Sequence, residues 1–370
     1  MIPSKMRAAR MYDAGAPMVI EDVPVPRPGP LDVLVRVRAC GIVPNLGNVL
    51  SNWTTWFPQN PLPKLPATFG LDPAGEIAAL GSGVSGVSVG QRVYVNPGRV
   101  CGSCRACRSG EMTGCVAYTF QGYFGFGPGS QQLFDRYPYG GLSEYIVAPA
   151  YALVALPDNV TFEQAARFGY IGTAYSALRK AGARPSSTVL INGASGTLGL
   201  GGVISALAMG VTCILGTGRN RDLLEEVKCL APERIAIHAL EDGPISHWAR
   251  GLTGGEGVDI VIDCLGPGAP GSTLLDAMRA MRRGGRTVNI GAVMEMLPMD
   301  VHSMMDASQS FMGSLWFTPG EGEDLARMAG VGTLDLSILR TNRFLLSDVN
   351  DVLAGIQNRH GGFSNYVVTP

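Results

Sequence analysis

The sequence predicts an α/β fold in which a doubly wound parallel sheet is joined to a β-rich domain. Three observations carry that expectation. Up to about Phe162 the chain reads as short strands broken by Gly and Pro, and beyond it apolar strands alternate with helical stretches. A glycine-rich turn lies at the first strand-to-helix junction of the second part. Glycine numbers 50 of 370 residues, nearly double the usual share of roughly 7%, with no Gly-X-Y period, so the chain is rich in tight turns and close backbone contacts.

In the first part, Asp32–Arg38 alternates polar and apolar as a half-buried strand should. Gly75–Leu80, Gln91–Val95 and Ser143–Val147 are similar runs between turn residues, and together they suggest a small barrel or sandwich. In the second part, Thr188–Ile191 reads as a buried strand, followed by the glycine turn and an apolar helix through Met209. Val211–Leu215 is the next strand, then a charged helix over Asn220–Lys228. Val258–Ile262 and Arg286–Ile290 are further strands, with a helix over Ser272–Arg283 between them. Beyond about Pro319 the pattern is mixed again and closes on a strand-like Asn365–Val368. The expected domains are 1–165, 166–319 and a return to the first domain over 320–370.

Composition narrows the function. Lys+Arg is 29 and Asp+Glu is 30, so the net charge of −1 offers no electrostatic footprint for nucleic acid or an anionic membrane. Met1–Arg10 runs into Tyr12-Asp13-Ala14-Gly15 rather than an apolar core, so no secretory signal is expected. The 34 residues between Arg184 and Arg219 lack any charge, but their eight glycines read as strand, turn, helix and strand rather than a membrane span. A soluble, cytoplasmic protein is the expectation.

Gly193-Ala194-Ser195-Gly196-Thr197-Leu198-Gly199 follows a strand and opens a helix. Its first glycine permits the tight turn, its second the approach of a pyrophosphate, its third close strand–helix packing. The helix N-terminus offers free N–H groups to phosphates. The next strand ends at Gly216-Thr217-Gly218-Arg219-Asn220, where a ribose-binding acid would select NAD. That acid is missing. Arg219 supplies a cation suited to a 2′-phosphate, with Thr217 and Asn220 as extra hydrogen-bonding groups, so NADP(H) is the expected cofactor.

Cys101, Cys104, Cys107 and Cys115 fall within fifteen residues, beside Gly102, Gly110 and Gly114. Four thiolates suit a tetrahedral, closed and therefore structural Zn2+ site. Two disulfides are disfavoured in a cytosolic chain, and nothing else in the sequence points to the electron transfer of an iron–sulfur cluster. The other cysteines, Cys40, Cys213, Cys229 and Cys264, are scattered in apolar settings.

In this order, the features resemble the medium-chain dehydrogenase/reductase superfamily of zinc alcohol dehydrogenases and quinone oxidoreductases. The markers are Cys40-Gly41-Ile42, Phe69–Glu76, Val87-x-Val89-Gly90-x-Arg92-Val93, the cysteine lobe at 97–116, Gly140–Tyr145, Gly172-Thr173-Ala174-Tyr175 and the glycine turn. The resemblance covers essentially the whole chain. It implies a GroES-like catalytic domain interrupted by a Rossmann domain, and homodimers or homotetramers with Phe311–Phe317 as an interface strand. It also exposes departures. The family's catalytic-zinc cysteine, histidine and second cysteine fall on Val43, Leu71 and Gly169, its ligand glutamate on Asp72, and its proton-relay hydroxyl and histidine on Asn45 and Asn48. The four histidines are His238, His247, His302 and His360, so the first 237 residues hold no imidazole. One structural Zn2+ and no catalytic Zn2+ are expected.

Without a Lewis acid, simple alcohol oxidation loses its main device, whereas hydride transfer to an already electrophilic alkene conjugated to a carbonyl does not. There the charge collects on an enolate oxygen that needs hydrogen-bond donors. Asn45, Asn48 and Thr173 are the candidate donors, and Asp72 is a candidate acid or an ionised structural group. Trp53, Trp56, Phe57 and the eight aromatics between Tyr118 and Tyr139 suggest an apolar substrate or simply a packed lobe. Two competing functions stand beside this one: zinc-independent carbonyl reduction or its reverse, and NADPH binding without turnover.

Overall fold

A computed structural model describes residues 2–370. Six parallel strands form the nucleotide-type sheet in the order Ile235–Ala239, Cys213–Gly218, Thr188–Asn192, Val258–Asp263, Met281–Asn289, Ser310–Gly313. Chain order reverses between Thr188–Asn192 and Val258–Asp263, and at such a switch point the carboxyl ends of the strands leave a crevice. The first three sheet-forming segments foreseen in this half are present with shifted ends. The strand expected at Val211 starts at Cys213, and the helix expected to reach Arg283 stops at Arg279. There the chain re-enters the sheet at Met281, opposite Val258.

The other half is antiparallel. Asp32–Gly41 is its central strand, pairing with Asp72–Leu80 and Tyr145–Pro149 and, at its far end, with Ser364–Thr369. Ser364–Thr369 in turn runs parallel to Arg340–Leu345, so the last two strands of the chain lie in the same sheet as its early ones. Arg340–Leu345 is an exposed polar edge without alternation, which is why no hydrophobic pattern announces it. Lys5–Met11, Val19–Pro24 and Ala67–Thr68 make a separate three-stranded sheet.

The two halves meet on the helix Phe168–Ala181, eleven of whose fourteen residues are buried. Gly182 ends it in the left-handed conformation (φ +74°) that glycine adopts without strain. A side chain on Gly172 would run into the Phe317 ring, and one on Gly201, in the helix Thr197–Ala208, would press on the Tyr170–Ile171 backbone. Small residues thus let helix, helix and Phe317 approach closely. Phe317 corrects an expectation: the strand ends at Gly313, and Trp316 and Phe317 turn into the core rather than toward a second subunit. No helix among the described residues is long and apolar enough to cross a membrane.

Candidate active site

The cysteine lobe curls through Gly102 and Gly110, both left-handed (φ +76° and +79°). All four cysteines are free thiols, and their sulfurs lie within 4.8 Å of one another. Bonds of about 2.3 Å from a tetrahedral zinc would set sulfur–sulfur edges of about 3.8 Å. The Cys101–Cys107 and Cys104–Cys107 separations are 3.9 and 3.5 Å. The N–H groups of Cys101 and Ala117 donate to Cys115 Sγ, as suits a thiolate. The donor set and its spacing fit zinc.

The glycine turn is built as its sequence requires. Gly193 has φ +85°, and a side chain on Gly199 would collide with the backbone of Gly193 and Ala194. Gly196 precedes the helix Thr197–Ala208, whose first-turn N–H groups have no intrahelical acceptor. Thr197 Oγ1 is buried there without a hydrogen-bond partner, an orphan that a phosphate oxygen would satisfy. Arg219 is exposed beyond the next strand, and Ser195 Oγ lies beside Gly218 just before it. Arg221, two residues on, is committed to Glu241 and Asp242. The residues present therefore fit a dinucleotide.

Two family models cover these two regions: an alcohol dehydrogenase GroES-like domain at residues 29–158 and a zinc-binding dehydrogenase domain at 197–330. The L-idonate 5-dehydrogenase of Vitis vinifera is 32% identical over 72% of this chain and 68% of its own. An NAD-dependent alcohol dehydrogenase of Sulfurisphaera tokodaii is 28% identical over 95% and 97%. A crystal structure of an NAD-dependent alcohol dehydrogenase superposes with a TM-score of 0.81 at 26% identity, over 99% of this chain and all of that one.

The chain belongs to the medium-chain dehydrogenase/reductase superfamily.

It is accordingly an oxidoreductase of the zinc-binding dehydrogenase type, with a four-cysteine cluster that suits a structural zinc. Where zinc-dependent members of the superfamily are expected to hold a second metal, Val43 and Leu71 are buried aliphatic side chains and Gly169 has no side chain. Asp72 fills the space a Gly169 side chain would take, because a Cβ there would collide with both carboxyl oxygens. Its Oδ1 accepts 2.7 Å from the Tyr94 hydroxyl, and the Gly169 N–H also bonds to the carboxyl. Burial pushes the Asp72 pKa up to about 7, against the pull of Tyr94, the Arg167 charge and that N–H. Cys40 is buried nearby, and burial together with the Asp72 charge drives its thiol pKa well up, which keeps it protonated.

Several sequence expectations are corrected by these contacts. For Asp72, expected as an acid or as a structural group, the contacts favour the structural reading: it is 1% exposed and held from two sides, an anchor between strand, strand and helix. Thr173 Oγ1 donates to the Gly169 carbonyl one turn back, so its proton is not available to an oxyanion. Thr217 is fully buried and donates to Asn192 Oδ1 (2.7 Å), so it does not face a 2′-phosphate; the Ser195 hydroxyl lies against Gly218, the residue before Arg219. Asn220 uses its Oδ1 to cap the helix Arg221–Cys229. Asn45 and Asn48 are neighbours: Asn48 Nδ2 donates to Asn45 Oδ1 (3.2 Å), which leaves the Asn45 amide N–H groups as free donors among the described residues.

Parts of the two aromatic groups pack together, while Tyr137 sits in a separate cluster. Phe124 stacks on Phe57 and packs against Trp53, and Phe120 joins Phe124 to Trp316, whose ring meets Phe317. Sequence reasoning also missed a polar chain at the strand ends. Thr217 donates to Asn192, and Asn192 Nδ2 donates to Asp263 Oδ1 (2.7 Å), tying three strand ends below the turn. Burial raises the Asp263 pKa to about 6, opposed by the Asn192 bond. A signal was present: Asn192 and Asp263 are polar residues closing otherwise apolar strands.

Proposed function

We propose that this protein reduces a carbonyl-conjugated C=C bond of a small apolar substrate with NADPH, and does so without a catalytic zinc. The observation that carries the reading is the state of the second metal position: two aliphatic side chains, one glycine, and a carboxyl already held by Tyr94 and Gly169. Fewer than three donors remain, short of what zinc requires. NADPH, when bound, supplies the hydride. The first-turn N–H groups and Thr197 would hold its diphosphate, while Arg219, with Ser195 near the same strand end, would meet the 2′-phosphate. On the substrate, hydride addition at the β-carbon moves the π electrons onto the carbonyl oxygen. Asn45 donates to that oxygen, with its amide oriented by Asn48. The α-carbon then takes a proton from water or from Tyr123 or Tyr170, whose hydroxyls make no hydrogen bond among the described residues. The aromatic run from Trp53 to Trp316 supports an apolar substrate if it borders the site.

A second reading is carbonyl reduction, which the names of the relatives favour, since an alcohol, sorbitol or L-idonate dehydrogenase works on C–OH and C=O. The preference for NADP(H) over the NAD of the Sulfurisphaera relative rests on Arg219 and the missing acid. We also propose a cytoplasmic homo-oligomer, with the free edge strand Ser310–Gly313 at its contact, and domain borders near residues 165 and 320. The test is NADPH consumption with a cyclic or aryl enone, the product identified by mass and retention. A saturated ketone supports alkene reduction; an allylic alcohol replaces it with carbonyl reduction; tight NADPH binding with no product across a broad acceptor panel would make it a binding protein.

A further inference from the structure

We infer that Arg167 and Arg359 form a two-arginine clamp that closes on the dinucleotide diphosphate from the side opposite the glycine turn. The inference rests on the dinucleotide reading above and adds to it two residues from distant parts of the chain. Arg167 precedes the helix Phe168–Ala181 and is 4% exposed. Of its five N–H donors only one is engaged: Nη2 donates to the Gly362 carbonyl (2.8 Å). Arg359 gives Nη1 to the Ile356 carbonyl (3.2 Å), and its buried Nε has no partner.

Arg359 lies close enough to Arg167 for its charge to work against the Arg167 cation. Neither lies within 4.0 Å of a carboxylate among the described residues. Asp72 acts on Arg167 only from beyond that distance, and its carboxyl is already held by Tyr94. The Tyr170 ring, 5.2 Å from the Arg167 centre, offers partial relief. Burial and the neighbouring Arg359 pull the Arg167 pKa down to about 10, the direction expected where a cation waits for an anion.

The place of the pair identifies that anion. Gly362, which accepts from Arg167, donates its own N–H to the Ser195 carbonyl (2.8 Å). A side chain on Gly361 would press on that same carbonyl, and one on Gly362 would collide with the Gly196 carbonyl. The segment Gly361–Phe363 is therefore seated directly on the glycine turn, beside the unpartnered Thr197 hydroxyl and the free helix N–H groups. Cations on one side and N–H groups on the other suit a doubly charged diphosphate better than a single phosphate. Binding would also fasten the C-terminal tail to the turn.

The test is calorimetric binding of NADPH, 2′-phospho-ADP-ribose and 2′-AMP to the wild type, Arg167→Met, Arg359→Met and Arg219→Ala, with circular dichroism and Tm checking the fold. The first two variants should weaken NADPH and 2′-phospho-ADP-ribose about tenfold or more and leave 2′-AMP unchanged, because it has no diphosphate. Inorganic pyrophosphate should compete with NADPH on the wild type and lose that competition in both. Arg219→Ala should show the mirror pattern, losing 2′-AMP and keeping pyrophosphate competition. Arg167→Lys, which keeps the charge, should recover part of the loss. Unchanged binding of the diphosphate ligands, or an equal loss for 2′-AMP, overturns the clamp and leaves the dinucleotide reading standing. A wild type that binds none of the three ligands overturns the dinucleotide reading itself.

Discussion

The four-cysteine lobe and the position where zinc-dependent members of the superfamily are expected to hold a second metal are built from different side chains. In the lobe at 97–116 the four sulfurs lie within 4.8 Å of one another, spaced as zinc would hold them. At the other position, Val43, Leu71 and Gly169 offer nothing to a metal, and Asp72 has been drawn into the protein. The difference teaches that a position without metal-binding side chains need not be a hole. With no side chain at 169 there is room for a carboxyl, and that carboxyl ties Tyr94 to the start of the helix Phe168–Ala181. One position offers four sulfurs to a metal, and the other offers a carboxyl already bonded to Tyr94.

The largest expected effect lies in the lobe. Cys104→Ser should release the metal and lower Tm by about 10 °C or more, because zinc binding energy in a small lobe is folding energy. Thermal melts with parallel metal analysis would show it, and an unchanged Tm in a metal-free variant would mean that the lobe folds without zinc. At the other position, Gly169→Ala should destabilise by about 1–3 kcal/mol, since its methyl group meets the Asp72 carboxyl in a space with no slack. If that variant were as stable as the wild type, Asp72 would be free to move and the packed description would fail.

Asp72 itself sharpens the contrast through pH. Its carboxyl goes from the ordinary 3.8 to about 7 on folding, so the folded state holds the proton more tightly. The resulting penalty on stability is absent below about pH 3.8, grows as pH rises, and is complete above about pH 7. Asp263, raised to about 6, adds a smaller slope of the same sign. Asp72→Asn should therefore flatten the fall of Tm between pH 5 and 8, leaving the Asp263 part. A slope identical to that of the wild type would place the ionised carboxyl in a better-solvated setting. Smallest of all in its effect on stability, Arg219→Ala should leave Tm within a degree while weakening NADPH about tenfold and NADH hardly at all. Equal losses for both cofactors would remove the argument for NADP(H).

What was legible in the sequence was local. Four cysteines in fifteen residues, and glycines set between a strand and a helix, must be neighbours in space whatever the rest of the chain does. The alternation of strands and helices likewise implied the parallel sheet, although Ile235–Ala239 and the polar edge Arg340–Leu345 carried too little pattern to be seen. The contacts that decide chemistry join distant segments. Tyr94 reaches Asp72, Arg167 reaches Gly362, and Gly362 reaches Ser195, and no spacing rule relates those positions. Thr217 failed for a different reason: its place at a strand end was right, but its hydroxyl faces Asn192 in the sheet instead of the crevice. Thr173 failed because a buried hydroxyl on a helix finds the carbonyl four residues back before it finds a substrate.

The central claim is that one metal position survives and the other does not, and zinc content tests it most directly. Purified protein, dialysed against metal-free buffer and analysed by plasma emission spectroscopy, should hold about one zinc per chain, all of it lost in Cys104→Ser. A ratio near two, with one zinc retained in that variant, would mean that a second ligand set exists and would contradict the account.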